Sequence, residues 1–215
     1  MSAALRDAAL RVSIETPEAL AEPWHRLWAR VPDASPFQAP SWLVAWARCY
    51  APDRCRVAAV ERAGELVACL PFFWWQRTLF LAGTGPSDHG DGVFLPGFEA
   101  WAGPMLREAL ASVETHIERV DLQQLPPMSP LLAAEAPTGW TGEVVDGDAC
   151  TMLALAGEDG MEHVGERLRS NWRRGMRAIE REGDLRADFL RGREPYKQHW
   201  RAEAVPTFRR VFVRG

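Results

Sequence analysis

A glycine-rich loop places two carboxylates and an imidazole within four residues. The loop runs from Gly83 to Gly92, and the three groups belong to Asp88, His89 and Asp91. A carboxylate beside a histidine can accept a proton and return it, which is the chemistry of a general acid–base pair. The sequence therefore indicates a site for proton transfer in this loop.

The same loop also fits an interpretation without catalysis. In a polar turn, aspartate side chains accept hydrogen bonds from backbone amides and glycines supply positive φ angles. This structural interpretation is the more common one for four residues of these types. A phosphate-binding loop is excluded, because such a loop must open a helix, whereas the strand-like residues 93–96 follow here.

A second group of functional side chains lies on a helix predicted over residues 161–181. Arginine guanidinium groups suit phosphate or carboxylate partners, so nucleic acid, a nucleotide-linked substrate or coenzyme A fit this helix. The alternative is a solvated helix face, partly neutralised by three glutamates. The arginines are Arg167, Arg169, Arg173, Arg174, Arg177 and Arg181, and the glutamates are Glu166, Glu180 and Glu182.

The net charge of −4 over 215 residues conceals a division along the chain. Residues 1–162 carry 11 basic and 22 acidic side chains, whereas residues 163–215 carry 14 and 7. The acidic first part argues against an extended nucleic-acid surface. A small phosphorylated ligand needs fewer positive charges and remains compatible with this division.

The sequence gives no signal for secretion, a membrane span or a metal site. The N-terminus lacks the apolar core of a secretory signal, and the densest apolar stretch, Leu66 to Trp75, is too short to cross a membrane. The four cysteines form no CxxC pair and have no histidine at zinc-ligand spacing. These features favour a cytoplasmic protein with free thiols and without a bound metal.

Local patterns predict several elements that would position the loop. Thr16 and Pro17 are typical of a helix start, and a second helix is expected over residues 41–50. Two β-like runs, 56–61 and 66–75, flank a turn and predict a hairpin. Proline has no amide proton to donate, so we expect the second strand to be at an edge or bulged at Pro71.

The remaining segments indicate a mixed arrangement of strands and helices. Trp42 and Trp46 have the spacing of one helix face, so they are core residues before they are carbohydrate platforms. Residues 137–149 are polar and glycine-rich and are the expected internal boundary. An α/β layer fold of the mixed α+β kind, with a mixed sheet flanked by helices, is expected.

Several of these motifs together resemble a known family. Residues 37–46 (FQAPSWLVAW), then 70–72 (LPF) and 83–91 with the pair Ser-Asp, occur in the order of bacterial GNAT-like proteins of the CelD type. Those proteins are related to the FemAB peptidyltransferases and are associated with cellulose or exopolysaccharide biosynthesis. Residues 125–131 and the asparagine–arginine segment 171–183 are also similar to that family.

The resemblance implies two GNAT-related domains. Residues 1–148 would form the first, and residues 149–215 an incomplete opening of the second, because the family's second domain continues further. The tail from Gly192 to Gly215 does not fit the family pattern. It is expected to be either the end of a C-terminally truncated relative or a divergent strand and helix.

The resemblance also implies an N-acyltransferase activity. The donor would be acetyl-coenzyme A or another acyl-coenzyme A, and the acceptor an amine or hydroxyl of a sugar or envelope precursor. Asp88 or His89 would be the catalytic base. The residues predicted to bind substrate are Asp91 and Trp46 on the acceptor side, and Arg173, Arg174 and Arg177 at a phosphorylated group.

One feature of standard GNAT domains is missing from the sequence. Their donor pyrophosphate is bound by a Q/R-x-x-G-x-G/A loop that opens a helix, and no glycine of this sequence lies in that motif. A non-catalytic GNAT-like module for substrate recognition or interaction is therefore the alternative prediction.

Overall fold

The computed structural model describes residues 10–113, 116–154, 186–192 and 203–215. The chain divides into two compact units, one of Met1–Gly147 with Phe208–Gly215, and one of Asp148–Thr207. The sequence prediction placed all of 149–215 in a second domain, whereas Phe208–Gly215 pack in the first unit. The predicted helix 161–181, with Arg173, Arg174 and Arg177, lies outside the described residues.

A mixed sheet forms the centre of the first unit. Of its described pairings, that between β4 (Thr78–Leu81) and β6 (Arg119–Leu125) is parallel and the others are antiparallel. The predicted fold class, mixed α+β with a mixed sheet flanked by helices, is confirmed. In spatial order the strands are β1 (Val12–Glu15), β2 (Cys55–Arg62), β3 (Glu65–Trp75), β4 (Thr78–Leu81), β6 (Arg119–Leu125), β11 (Phe208–Arg214) and β7 (Trp140–Asp146), with β5 (Val93–Phe94) paired to β3.

The second unit contains a smaller sheet. Strand β8 (Cys150–Ala154) lies between β9 (Arg186–Arg191) and β10 (Glu203–Val205), and both pairings are antiparallel.

Helices cover the two faces of the large sheet. Helices α1 (Pro17–Trp28) and α2 (Pro40–Tyr50) pack on one face, and α3 (Ala102–Ser112) packs on the other. Because both faces are covered, neighbouring residues of a central strand are buried on opposite sides, which explains why β2 and β3 are apolar almost without alternation. The core residues on the α1 and α2 side include Trp24, Leu43, Trp46, Val57, Ala59 and Cys69, and those on the α3 side include Ala58, Leu70, Phe72, Leu79, Met105 and Leu106.

The predicted helix start and hairpin are both present. Thr16 Oγ1 accepts a hydrogen bond from the Ala19 amide at 3.3 Å, and Pro17 is the first helical residue. In the hairpin, Ala63 and Gly64 both have positive φ angles, of 53° and 79°. Two such residues form the tight turn whose twist suits antiparallel strands.

Residues 140–146 differ from the prediction, whereas the tail contains a strand, as one of its two alternatives expected. Residues 140–146, within the expected boundary region, form strand β7, and the tail contributes strand β11 between β6 and β7. The β7 strand is exposed along nearly its whole length, so it lacks the apolar periodicity by which strands are recognised.

All four cysteines are free thiols, and they differ in accessibility. Cys49 is exposed, whereas Cys55, Cys69 and Cys150 are buried. Burial raises the pKa of the Cys55 thiol to about 12 and raises the pKa of Cys69 as well. Since the thiolate is the reactive form, Cys55 and Cys69 are protected both by burial and by a raised pKa.

We expect a thiol reagent at pH 8 to modify one cysteine rapidly in the folded chain and four in denaturant. The measurement is the stoichiometry of an absorbance-based thiol titration. Cys49→Ser should remove the rapid phase, and a second rapid thiol in that variant would contradict the prediction.

No helix within the described residues is long and apolar enough to span a membrane.

Candidate functional site

The acidic loop, which is the glycine-rich segment from Gly83 to Gly92, fills a break in the sheet. Strand β4 pairs with β3 as far as Leu81, opposite Phe72, and β5 takes up the pairing at Val93, opposite Cys69. Residues 82–92 leave the sheet between these points. The Ala82 amide donates to the Pro71 carbonyl at 3.0 Å, so the proline nitrogen, on the same side of the strand, faces the break.

This arrangement explains why a proline is tolerated in a central strand. Pro71 was expected at an edge or bulge, and the strand at its side is interrupted where its amide proton would be missing. Because Pro71 has no amide proton to offer to a neighbouring strand, it favours the departure of the loop from the sheet at this point.

The loop lies at the carboxyl ends of the parallel strands β4 and β6. The strands pair from Thr78 opposite Arg119 to Phe80 opposite Asp121, and β6 then continues past the end of β4. Beyond the end of β4, the loop lies along the edge of β6, where the Gly90 amide donates to the Gln124 carbonyl at 3.0 Å. In open α/β sheets, a crevice at the carboxyl ends of the strands is the usual place for a ligand.

Asp91 is the most strongly perturbed acid of the loop. Its side chain is buried, and Oδ1 accepts hydrogen bonds from the Gly92 amide at 2.8 Å and from Ser129 Oγ at 2.9 Å. Burial raises the pKa of Asp91 from 3.8 to about 7, although both hydrogen bonds favour the charged form. Among the described residues, none donates a hydrogen bond to Oδ2, which leaves that oxygen available to a proton.

Ser129 has a fixed orientation at this carboxylate. It caps the short 3₁₀ helix Pro130–Ala133, and its Oγ accepts from the Leu131 amide at 3.2 Å. A hydroxyl has one proton, so that proton must be the one donated to Asp91. Ser129 therefore holds the carboxylate and lowers the cost of its charge.

Gln38 ties the loop to the segment before α2. Its Nε2 donates to the Gly92 carbonyl at 2.7 Å, while its Oε1 accepts from the Ser35 amide at 2.7 Å. Both ends of the amide are used, so the side chain is fixed. A Cβ at Gly92 would lie 2.9 Å from the Cys69 carbonyl, so the close approach of loop and strand requires glycine there.

Aromatic rings border the loop on its α2 side. The Phe37 ring lies 5.8 Å from Trp42 and 6.5 Å from His89, measured between ring centroids. Trp42 Nε1 donates to Ser87 Oγ at 3.0 Å. Phe37 and His89 are half-buried and Trp42 is partly exposed, so the rings form an accessible apolar wall beside the acidic groups.

The structure brings together three of the predicted site residues. Asp88 and Asp91 are buried and His89 is half-buried, all in the one loop. Trp46 is buried instead, with its ring 4.9 Å from Phe73 and 5.8 Å from Tyr50, so the described contacts assign it to the core. The interpretation of the loop as a polar turn expected aspartate side chains to accept hydrogen bonds from backbone amides, and Asp91 does so with the Gly92 amide.

Sequence reasoning did not identify Ser129 or Gln38 as site residues. They lie 38 and 54 residues from their partners in the loop, and no local pattern predicts such contacts. Both residues lie in segments that resemble the family, 37–46 and 125–131, and this resemblance is the signal that points to them.

A cleft of about 440 Å³ lies next to Ser129 in the chain. It is formed by the first turn of α3 and the 3₁₀ helix Pro130–Ala133. Its charged groups are Glu99, Glu135 and Arg107. With two carboxylates against one guanidinium, this cleft favours a positively charged ligand over a polyphosphate.

Within the described residues, no group of three or more histidines, cysteines, aspartates or glutamates is placed to hold a metal ion. No protein-family model matches the chain, and no curated protein matches its sequence.

Several solved structures of acetyltransferases are similar to the chain. A GNAT-family acetyltransferase from Desulfovibrio desulfuricans is 11% identical, with a TM-score of 0.43, over 94% of this chain and 98% of that one. An acetyltransferase from Pyrococcus horikoshii is 9% identical, with a TM-score of 0.42, over 100% and 92%. The spermidine N-acetyltransferase of Vibrio cholerae, solved with CoA and spermine, is 10% identical, with a TM-score of 0.34, over 97% and 96%. These identities and TM-scores are too low to transfer residue roles to this chain.

Proposed function

We propose that this chain is a GNAT-type acyltransferase that moves an acyl group from coenzyme A to an amine or hydroxyl of a small acceptor. The observation that carries the proposal is the Asp91 carboxyl group, buried beside the ends of β4 and β6 with a pKa of about 7. A group that titrates near neutral pH can take up a proton and release it again under physiological conditions.

In the proposed reaction, the acceptor amine attacks the thioester carbonyl carbon. The C–S bond breaks and coenzyme A leaves as a thiolate. Asp91 Oδ2 takes the proton that the amine loses, and the proton then passes to the thiolate. Proximity and this proton transfer are the main requirements of the chemistry.

This proposal moves the base from Asp88 or His89 to Asp91. The reason is that Asp91 combines burial, a raised pKa and an oxygen without a described donor. Asp88 and His89 remain proposed groups on the acceptor side of the loop, next to the Phe37 and Trp42 rings. Trp46 is proposed to support α2 rather than to contact substrate.

The carboxylates of the cleft next to Ser129 in the chain support an amine as the acceptor. Glu99 and Glu135 line the cleft beside Ser129 and would attract a cationic amine. The aromatic wall would suit an acceptor with a ring or sugar body, since pocket walls that bind such groups are largely apolar and aromatic. The resemblance to CelD-type proteins would place that acceptor in polysaccharide or envelope biosynthesis.

The phosphorylated part of the donor has a proposed location outside the described residues. Arg173, Arg174 and Arg177 stay the proposed contacts for it, because the arginine-rich segment supplies the positive charge that the first unit lacks.

The test is donor binding followed by turnover. We expect calorimetric titration with acetyl-coenzyme A to show saturable binding in the micromolar range. The chain should then release coenzyme A faster in the presence of glucosamine or a simple diamine than in buffer. No binding at millimolar donor would contradict the proposal.

A non-catalytic recognition module is the second candidate. The absence of the Q/R-x-x-G-x-G/A motif from the sequence favours it. It would leave the chain silent toward acetyl-coenzyme A, while glucosamine or the diamine alone still bound.

A further inference from the structure

A second cleft, of about 500 Å³, opens at the other end of α3 from the one beside Ser129. It is lined by residues from the carboxyl end of α3, the approach to β6, the start of β7 and the end of β11. Its volume is in the range of small-molecule sites. Apart from Arg107, which lines both clefts, none of its lining residues belongs to the cleft proposed to attract the acceptor amine.

The polar lining of this cleft is basic. Arg107, His116 and Arg214 contribute to it, and no carboxylate lines it among the described residues. An Arg214 Nη1 proton is donated to His116 Nδ1 at 3.2 Å, so this contact places the imidazole proton on Nε2. This contact uses one donor of the Arg214 guanidinium, and its remaining donors can bind a ligand.

The remainder of the lining is apolar. Leu110, Ile117 and Trp140 contribute an aliphatic and aromatic wall. Ile117 is buried and Trp140 is half-buried, and both pack against the core cluster that contains the α3 residues. A cationic rim over an apolar wall complements a ligand that has an anionic group on an apolar body.

We propose that this cleft binds a small organic carboxylate whose hydrocarbon or aromatic part lies on Leu110, Ile117 and Trp140. Its carboxylate contacts Arg214, whose forked donors match the two carboxylate oxygens. The site lies at the amino end of β6, whereas the acidic loop lies at its carboxyl end. Occupancy of the cleft therefore requires neither the acyl donor nor the acceptor.

The test is calorimetric titration of the whole chain with octanoate, with acetate and octanol as partial probes. We expect octanoate to bind saturably and at least tenfold more tightly than either, because each partial probe lacks one half of the complementarity. Arg214→Gln should weaken octanoate binding about tenfold. Arg62→Gln, an exposed arginine at the β2–β3 turn, is the matched control and should leave binding within twofold.

Three results would overturn the proposal. They are octanol binding as tightly as octanoate, octanoate binding unchanged in Arg214→Gln, and no saturable octanoate binding at 10 mM. Thermal unfolding of each variant checks that the fold is kept. Since none of these measurements uses coenzyme A, failure here is distinguishable from failure of the proposed acyl transfer.

Discussion

Replacing Asp91 with asparagine is expected to lower the rate of acyl transfer by about 10²- to 10⁴-fold, the usual contribution of a general base. Asparagine keeps an oxygen that accepts from Ser129 and the Gly92 amide, so the loop should keep its geometry. What it loses is the basic Oδ2. The measurement is kcat/KM for the best acceptor, in both proteins, across pH 5 to 9.

The pH profile supplies the mechanistic readout. A base must be deprotonated, so the wild-type rate should rise with pH through an apparent pKa near 7, and this limb should be absent from Asp91→Asn. Ser129→Ala removes a donor that favours the charged carboxylate, so it should move the limb to higher pH.

Asp88→Asn is the matched control, since it makes the same change three residues away in the same loop. We expect it to lose less than tenfold in rate. If Asp88→Asn abolished the pH limb while Asp91→Asn kept it, the base assignment made from the sequence would be right and the one proposed here wrong.

Stability should change in the opposite sense to activity. The folded-state pKa of Asp91 is raised from 3.8 to about 7, so the folded chain binds this proton more tightly than the unfolded chain does. The stability it contributes is fully present below pH 4 and is lost as the pH rises toward 7. The loss corresponds to an order of 4 kcal/mol at most, by the free energy of a pKa shift.

Asp91→Asn should therefore be more stable than wild type at pH 8 and closer to it at pH 4.5. Urea unfolding at the two pH values measures this difference. A variant that lost both activity and stability at pH 8 would indicate that the carboxylate supports the fold and that its burial costs little.

The elements that sequence analysis predicted well are those whose determinants are local. The α1 cap needs Thr16 and Pro17, and the β2–β3 turn needs Ala63 and Gly64, all neighbours in the chain. The acidic loop was also recognised from four adjacent residues. In each case, the residues that determine the local structure are neighbours in the sequence.

The parts that were missed depend on distant partners. The role of Asp91 follows from burial and from Ser129, 38 residues away, so residue type alone favoured Asp88 and His89. Strand β7 is exposed, and β11 carries two adjacent arginines on opposite faces of the strand. Arg209 pairs with the buried Asp121, and Arg210 stacks on the Phe212 ring with 4.4 Å between the guanidinium carbon and the centroid. Because these arginines make the segment polar in sequence, a hydropathy pattern does not indicate a strand there, although both charges have partners in the fold.

Strand β11 is expected to be essential for the stability of the first unit. It pairs with β6 on one side and with β7 on the other, and β7 has no other described partner in the sheet. A chain that ends at Thr207 would expose the edge of β6 and detach β7. We expect its thermal unfolding, followed by circular dichroism, to lose the cooperative transition of the full chain.

Phe212→Ala is the graded form of this experiment. The Phe212 side chain is fully buried, and its ring fills the space above Gly142, where a Cβ would come within 2.6 Å of Cδ1. Truncating a buried phenylalanine costs about 3–5 kcal/mol of unfolding free energy, because the cavity only partly closes.

Val213→Ala is the control on the same strand. Val213 is 42% exposed and makes the same kind of backbone pairing, so its truncation should cost about 0.5 kcal/mol or less. If Phe212→Ala and Val213→Ala unfolded at the same urea concentration, β11 would not be packed against the α3 core. A tail merely appended to the sheet predicts that equality, whereas a strand inserted between β6 and β7 predicts the large difference.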